Sequence, residues 1–364
     1  MSRQHRSMQS HWSTPDATMS LGCQTCPWLA ECGGQTIRAG GFDCLEYCCN
    51  DPHNCRSVCP NALTFADRVR EVRGFTLETA SAARLHSPVQ SGYAPMIFHS
   101  SARRGNLATR SAAMPLYRFF DQHGDCRYGS RDNVADGFKV DGNAELFLSG
   151  VAQDKEVEKW WKLQASGRIK AIGNLRRLGI AMVTTPNFSL IVDRPRWDDL
   201  HSMARIVEVY HEFVSEGQPA ALHVNGRTQR DFERWTEYVA THGEVTHLAY
   251  EFTTGTGHAT RMRQHTDWLI CLARSVERRL GLILRGGVQV VGELARHYNV
   301  TFIDTSAFEK AHHRFIVTID GQGHRRWTKR STVIGDPIDS LLAENVRLSH
   351  AWMQGLLPSL PLAA

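Results

Sequence analysis

The chain has 364 residues, of which 42% are hydrophobic and 22% are charged, and its formal net charge is +5. These proportions are close to those of folded globular proteins, so they exclude a chain that is disordered throughout. The length allows one large domain or two ordinary ones. The mild basicity suits an anionic partner, but enzymes without any nucleic-acid role often carry the same charge.

The sequence contains no continuous apolar stretch of about 18 residues, the length that a membrane-spanning helix requires. The first twenty residues, MSRQHRSMQSHWSTPDATMS, lack the apolar core of a signal peptide and show no hydrophobic periodicity. We therefore expect a disordered tail over residues 1–20, no membrane partner and a cytoplasmic location.

A cysteine-rich segment follows over residues 21–61 and is too short and glycine-rich to build an apolar core of its own. In a reducing compartment, cysteines at this density are more often metal ligands than disulfides. A bound metal would supply the folding energy that the segment lacks. The expected ligands are Cys23, Cys26, Cys32, Cys44, Cys48, Cys49, Cys55 and Cys59.

The cysteine spacing favours an iron–sulfur cluster, with [4Fe–4S] as the expected type. Cys55 and Cys59 are followed by Pro60, as at the end of a ferredoxin-type motif. Structural zinc usually takes two CxxC knuckles, and only Cys23 and Cys26 form one here. Zinc remains the alternative metal, and the cysteines could also form disulfides or stay as inert thiols. The CxxxCxxC spacing of radical S-adenosylmethionine enzymes is absent from the sequence.

Strand and helix patterns alternate after the cysteine-rich segment. The clearest unit is Leu280–Arg314, which reads as strand, glycine turn, helix and strand. Such alternation predicts a parallel sheet, and eight strands predict closure into a (β/α)₈ barrel of the TIM type over residues 62–335, an α/β fold. An open doubly wound sheet is the alternative, and a C-terminal helix and tail are expected over 336–364. The predicted strands include Tyr93–His99, Leu116–Phe120, Glu145–Ser149, Ala181–Thr185, Ala220–Asn225, His247–Thr253, Leu282–Leu284 and Val300–Ile303.

Helices are predicted between the later strands by their amphipathic patterns. The predicted helices are Asp154–Leu178, Trp197–Ser215, Thr228–His242, Thr260–Arg279 and Val290–Tyr298.

Polar residues follow the apolar runs of these strands, where barrel enzymes carry their chemistry. Glu251 and Asp304 are the candidate catalytic carboxylates, because a carboxylate at a water-poor barrel mouth can act as a nucleophile or a base. The candidate substrate-binding residues at the same rim are Asn187, His223, Asn225 and Arg285. Every strand ends in something polar, so a capping or ion-pairing role is the alternative for each.

Two further features indicate an anionic ligand. Gly286 and Gly287 would let a phosphate or the edge of a base approach backbone N–H groups. Lys310 and Arg314 add positive charge after the last strand. The run His324–Arg330, HRRWTKR, could track a nucleic-acid backbone while its tryptophan stacks on a base, although it also reads as a solvated β-hairpin.

The phrase GGVQVVGEL, followed by TFIDTSAFEKAHHR, resembles the tRNA-guanine transglycosylase superfamily, which includes DNA-acting 7-deazaguanine relatives. Gly286, Gly287, Gly292 and Glu293 match the glycine loop of that family, and Asp304 falls at the place of its nucleophile. The resemblance implies a (β/α)₈ barrel that exchanges bases. The sequence departs from the family at HSSARRGN, where DSGG is expected, and it has no cysteines after Asp304.

Two functions follow as hypotheses. The first is an enzyme that acts on a nucleoside, nucleotide or nucleic acid. In its sharpest form Asp304 attacks the sugar C1′ and displaces the base, whose glycosidic bond breaks. Glu251 serves as the general acid or base, and the Gly286-Gly287 backbone holds the base edge. The expected partners are DNA, tRNA or a phosphorylated small molecule. The second is a non-catalytic nucleic-acid-binding or accessory protein with a structural metal knuckle.

Overall fold

A computed structural model of the protein describes residues 62–85, 89, 92–190, 196–253, 259–333 and 335–357. The predicted tail over residues 1–20 and the cysteine-rich segment over 21–61 lie outside these residues, and so do all eight cysteines expected to bind a metal.

The described residues contain an eight-stranded sheet in which every pairing is parallel. Its strands are β1 (Tyr93–Pro95), β2 (Ser111–Pro115), β3 (Glu145–Ser149), β4 (Met182–Thr184), β5 (Ala220–His223), β6 (His247–Phe252), β7 (Gly281–Gly286) and β8 (Asn299–Asp304). The spatial order runs β1-β8-β7-β6-β5-β4-β3-β2. Met96, directly after β1, pairs with Ala113 of β2, and the Ile97 N–H donates to the Ala113 carbonyl at 2.8 Å. The two edge strands therefore meet, and the sheet forms a barrel.

Helices surround the barrel and follow most of its strands, as the alternating sequence pattern predicts. They are α1 (Ala62–Glu71), α2 (Arg131–Phe138), α3 (Asp154–Lys162), α4 (Gln164–Arg177), α5 (Arg196–Ser215), α6 (Gln229–Thr241), α7 (Ala259–Ser275), α8 (Val291–Leu294), α9 (Ser306–His312) and α10 (Asp339–Leu356). None of the helices within the described ranges is both long and apolar enough to cross a membrane.

Small and large apolar side chains from all eight strands together fill the barrel interior. This cluster consists of Ala94, Met96, Ala113, Phe147, Met182, Ala221, Ala249, Ile283 and Ile303, each at most 2% exposed. The interior is therefore a packed core, as in TIM barrels generally, and a ligand can bind only at its mouth.

An antiparallel hairpin covers part of the outside of the barrel. It consists of β9 (Phe315–Ile319) and β10 (Arg325–Lys329), which confirms that HRRWTKR belongs to a β-hairpin. The hairpin packs on α10, where the Asn345 side chain accepts a hydrogen bond from the backbone of Val317 at 2.8 Å. The buried residues Leu342, Val346 and Met353 share one face of α10 at the spacing of an amphipathic helix.

The predicted strand Leu116–Phe120 is wrong. Residues Leu116–Phe119 form a 3-10 helix, and the strand is formed by the preceding segment Ser111–Pro115. Aromatic residues favour strands, but Leu116 and Phe119 are buried at a three-residue spacing that suits the tighter helix. In β2, the small Ala113 fits the packed interior beside Phe147.

Two predicted helices also differ from those observed. The predicted helix Asp154–Leu178 is divided into α3 and α4 at Gln164, whose φ of 59° is incompatible with a continuous α-helix. The predicted helix Val290–Tyr298 is reduced to a 3-10 turn at Val288–Val290 and the four-residue α8.

Candidate active site at the carboxyl ends of the strands

Three strand-end side chains face the barrel mouth from the neighbouring strands β5, β6 and β7. Side chains aligned in a parallel pair lie on the same face of the sheet, and residues two apart on one strand share a face. His223 is aligned with Ala249, and Glu251 is aligned with Arg285. Because Ala249 and Ile283 belong to the interior, His223, Glu251 and Arg285 all point inward.

Glu251 and Arg285 form a loose ion pair at this mouth. The distance from Glu251 Oε1 to Arg285 Nη1 is 3.8 Å, and the two side chains are 10% and 23% exposed. The hydroxyl of Thr253 donates a hydrogen bond to Glu251 Oε1. Arg285 Nε is buried and has no hydrogen-bond partner within the described part of the chain. This guanidinium can therefore take an additional acceptor.

His223 lies deeper than the ion pair and is 2% exposed. Its burial, together with the positive charge of Arg285, lowers the pKa of the imidazole to about 3. The ring is therefore neutral at pH 7, with one nitrogen as donor and the other as acceptor. Its Nδ1 is buried without a partner among the described residues. An unsatisfied buried polar atom is costly, and a ligand atom would remove that cost.

Asn187 and Asn225 connect the loops that follow β4 and β5. The Asn225 Nδ2 amide donates to Asn187 Oδ1 at 2.8 Å and to the Phe188 carbonyl at 3.1 Å. The indole of Trp235 in turn donates to the Asn225 carbonyl at 2.8 Å. Both asparagines lie at the same mouth as His223, but the amide of Asn225 holds the loops together.

Gly286 and Gly287 both adopt the left-handed backbone region, with φ of 71° and 63°. A Cβ on Gly286 would lie 2.8 Å from the Phe252 carbonyl oxygen, and one on Gly287 would lie 2.6 Å from the Phe252 ring. Both the dihedrals and the close approach of β6 therefore require glycine. The turn places this backbone immediately after Arg285, beside the ion pair.

The structure does not bring Asp304 together with Glu251. Asp304 is aligned with Pro95 and is the neighbour of the inward-facing Ile303, so its side chain faces the outer layer. The carboxylate is 1% exposed. Its Oδ2 accepts hydrogen bonds from Arg325 Nη1 at 2.5 Å and from the hydroxyl of Tyr93 at 3.1 Å.

The surroundings of Asp304 fix that ion pair in place. Its Oδ1 accepts from the Ser306 N–H at 2.9 Å. Burial and the charge of Asp304 raise the pKa of Tyr93 well above its ordinary value, so the phenol stays protonated as a donor. The Arg325 guanidinium lies 5.1 Å from the ring centroid of Trp327 and 4.9 Å from that of Trp352. The cation that pairs with Asp304 is therefore Arg325 of the hairpin.

Lys310 and Arg314 lie near the base of the hairpin, on the outside of the barrel. The Lys310 ammonium is 5.3 Å from the ring centroid of Phe315. Arg314 donates to the carbonyls of Asp336 at 2.5 Å and Pro337 at 3.4 Å. These two cations therefore contact elements of the hairpin region and not the Glu251 pair.

The basic run on β10 is partly neutralised. Arg326 pairs with Asp320 at 3.0 Å and Arg330 pairs with Glu344 at 3.1 Å. Trp327 is half-buried, and its ring lies against the Arg325 guanidinium.

Two contacts of the candidate carboxylates were not predicted from the sequence: Thr253 with Glu251, and Arg325 with Asp304. Thr253 lies two residues after Glu251, and side chains two apart share a face of a strand, so this spacing could have indicated the contact. Arg325 belongs to the run His324–Arg330 that was predicted to track a nucleic acid, but its pairing with Asp304 had no signal in the sequence. The pair forms only because the hairpin folds β10 back towards the end of β8.

Among the described residues, no group of three or more histidine, cysteine, aspartate or glutamate side chains is arranged to hold a metal ion. No protein-family model matches the chain, and no curated protein matches it either.

Proposed function

We propose that this protein is an enzyme that acts on a nucleoside, nucleotide or nucleic acid at the carboxyl-terminal mouth of its barrel. The observation that carries the proposal is the convergence of Glu251, Arg285 and His223 on one face of three adjacent strands. In barrel enzymes this end of the strands holds the active site.

Each of the three side chains has a role that follows from its environment. Glu251 is the general acid or base, because it sits at the mouth with an arginine within 3.8 Å and a threonine hydroxyl bonded to it. Arg285 holds an anionic group of the substrate. Neutral His223 bonds a polar atom of the substrate without taking up a proton at pH 7.

The base-exchange form of this hypothesis requires Asp304 as the nucleophile. Its carboxylate already accepts from Arg325, Tyr93 and the Ser306 N–H, and it faces away from the mouth. A nucleophile needs a free approach to the sugar carbon. These contacts support Glu251 more strongly than Asp304 as the residue that touches the substrate.

The test is a screen of nucleosides, nucleotides and short DNA and tRNA substrates, with products separated by chromatography. We expect turnover by the wild-type protein that is lost in Glu251→Gln, because the amide keeps the shape but cannot transfer the proton. Glu277→Gln is the matched control, since Glu277 is exposed and its substitution makes the same change in charge. Equal turnover in both variants would refute the role of Glu251.

A second candidate is nucleic-acid binding by the hairpin without turnover. It is favoured by the exposed side chains of His324, Arg326 and Arg330, which are 62%, 65% and 52% exposed. Neutralising one phosphate contact lowers the slope of log affinity against log salt by about one. If the hairpin binds DNA or tRNA, Arg326→Gln should show this change and Glu251→Gln should not.

We also propose that the cysteine-rich segment binds an iron–sulfur cluster, with zinc as the alternative. The proposal rests on cysteine spacing, above all Cys55, Cys59 and Pro60, and on Cys23 and Cys26. Anaerobic purification followed by an absorption spectrum and metal analysis distinguishes the two metals. Protein that carries neither iron nor zinc in stoichiometric amounts would contradict both.

A further inference from the structure

Two buried nitrogen atoms at the barrel mouth have no hydrogen-bond partner within the described residues. They are Nδ1 of His223 and Nε of Arg285. The His223 side chain faces the interior, and the charge of Arg285 acts on it through space. In the tautomer with the proton on Nδ1, both atoms are donors, and two donors beside a positive charge match an anion.

The backbone beside Arg285 adds to this match. Gly286 and Gly287 follow it in the left-handed region, with φ of 71° and 63°. Successive backbone N–H groups in such turns form concavities that bind anions. Phosphate sites after strands 7 and 8 recur among barrel enzymes, and this turn follows β7.

We propose that the mouth holds the terminal phosphate of a small phosphomonoester, bound by Arg285, His223 and the Gly286-Gly287 backbone. This proposal deepens the proposed function and rests on the same site, because it names the substrate as a mononucleotide or a similar phosphorylated small molecule. Glu251 then lies next to the bound phosphate, on the partner strand of Arg285.

The depth of the site separates a terminal phosphate from a phosphodiester. His223 is 2% exposed, whereas Arg285 is 23% exposed and lies nearer the solvent. A monoester has a single substituent and can reach His223 with that substituent pointing outward. An internal phosphate of a nucleic acid has a chain on each side, and the packed interior beneath the mouth leaves no second exit.

The first test is binding of inorganic phosphate and of nucleoside 5′-monophosphates, measured by calorimetry on the full chain. We expect both to bind in competition, and the corresponding nucleosides to bind at least about tenfold more weakly, since they lose charge-assisted hydrogen bonds. An oligonucleotide without terminal phosphates should not displace phosphate. Displacement by that oligonucleotide, or affinity that is equal for nucleoside and nucleotide, would overturn the proposal.

Variants connect the binding to these residues. Arg285→Gln should weaken phosphate binding by about tenfold or more, whereas the exposed Arg274→Gln, which removes the same charge, should leave it unchanged. His223→Asn keeps a donor near the position of Nδ1 and should retain binding, and His223→Leu should lose it. Equal binding in Arg285→Gln and Arg274→Gln would show an adventitious ion only and would overturn the site.

The same variants separate this inference from the proposed function. If phosphate binding depends on Arg285 but no turnover depends on Glu251, the anion site stands and the enzyme assignment fails. If Glu251-dependent turnover occurs on substrates without a phosphate, the enzyme assignment stands and the phosphomonoester inference is overturned.

Discussion

Glu251 and Asp304 both lie at the end of a barrel strand and both have an arginine partner, but they face opposite sides of the sheet. Glu251 faces the mouth, 3.8 Å from Arg285 in a pair that solvent reaches. Asp304 faces the outer layer, 2.5 Å from Arg325, and is 1% exposed. The loose pair can exchange its partner for a ligand, whereas the tight pair joins the barrel to the hairpin. Position at a strand end is thus a poor guide to chemistry unless the direction of the side chain is known.

The largest expected effect is on turnover at the mouth. Glu251→Gln should lower turnover by about 10²- to 10⁴-fold, the usual contribution of a general acid or base. The free energy of unfolding should change by only about 1 kcal/mol, because the ion pair is loose at 3.8 Å and Arg285 keeps 23% of its side chain exposed. Steady-state rates and urea denaturation of the same preparation measure both. A large loss of stability with an unchanged rate would show that Glu251 has a structural role, as Asp304 does.

The second prediction concerns the buried pair. Asp304→Asn should lower the free energy of unfolding by about 3 kcal/mol, because it leaves the Arg325 charge buried without its partner. Asp320→Asn is the matched control on the same hairpin, since its pair with Arg326 is exposed and its loss should affect the free energy of unfolding far less. Urea denaturation measures both variants.

The Asp304→Asn variant also tests the base-exchange mechanism. If Asp304 only joins the hairpin to the barrel, turnover below the melting range should stay near the wild-type value. Loss of turnover in a folded Asp304→Asn protein would instead support Asp304 as the nucleophile and would reverse the roles of the two carboxylates.

The barrel could be predicted from the sequence because its later strands are short apolar runs that alternate with amphipathic helices. The strand Leu282–Leu284 and the glycines after it show this most clearly, and β7 confirms them. The second strand could not be predicted, because the alanine-rich segment Ser111–Pro115 has a low intrinsic preference for strands. Its burial within the sheet overrides that preference.

The direction of the strand-end carboxylates could not be predicted for a different reason. A strand of a parallel barrel is covered on both faces, so it is apolar on both and shows no alternation. In β8, Phe302 faces the helices and Ile303 faces the interior, although the two residues are equally apolar. The sequence therefore located the ends of β6 and β8 but not the faces of Glu251 and Asp304.

A third prediction tests whether water is excluded from His223 at the bottom of the mouth. The pKa of His223 is about 3 in the folded protein and about 6.5 when the chain unfolds, so the unfolded state binds more protons between these values. The free energy of unfolding therefore falls as the pH falls through this window. Between pH 7 and pH 5, His223 alone should lower it by about 2 kcal/mol.

Comparison of variants isolates this contribution from the other histidines. Between pH 7 and pH 5, the free energy of unfolding should fall by about 2 kcal/mol less in His223→Asn than in the wild-type protein. The matched control is His123→Asn, the same substitution at an exposed histidine outside the mouth. Identical pH dependence in wild type and His223→Asn would show that water solvates the imidazole, which removes the argument for a site at this depth.

The smallest expected effect concerns the phenol that supports the buried pair. Tyr93→Phe removes the 3.1 Å hydrogen bond to Asp304 Oδ2 but leaves the bonds from Arg325 and the Ser306 N–H. The free energy of unfolding should therefore fall by about 1 kcal/mol, the usual net contribution of one hydrogen bond. Because both changes act on the same carboxylate, Tyr93→Phe combined with Asp304→Asn should cost less than the sum of the two, by at least about 0.5 kcal/mol. Strict additivity of the two losses would mean that Tyr93 and Asp304 stabilise the fold independently, and that the phenol does not help to hold the carboxylate.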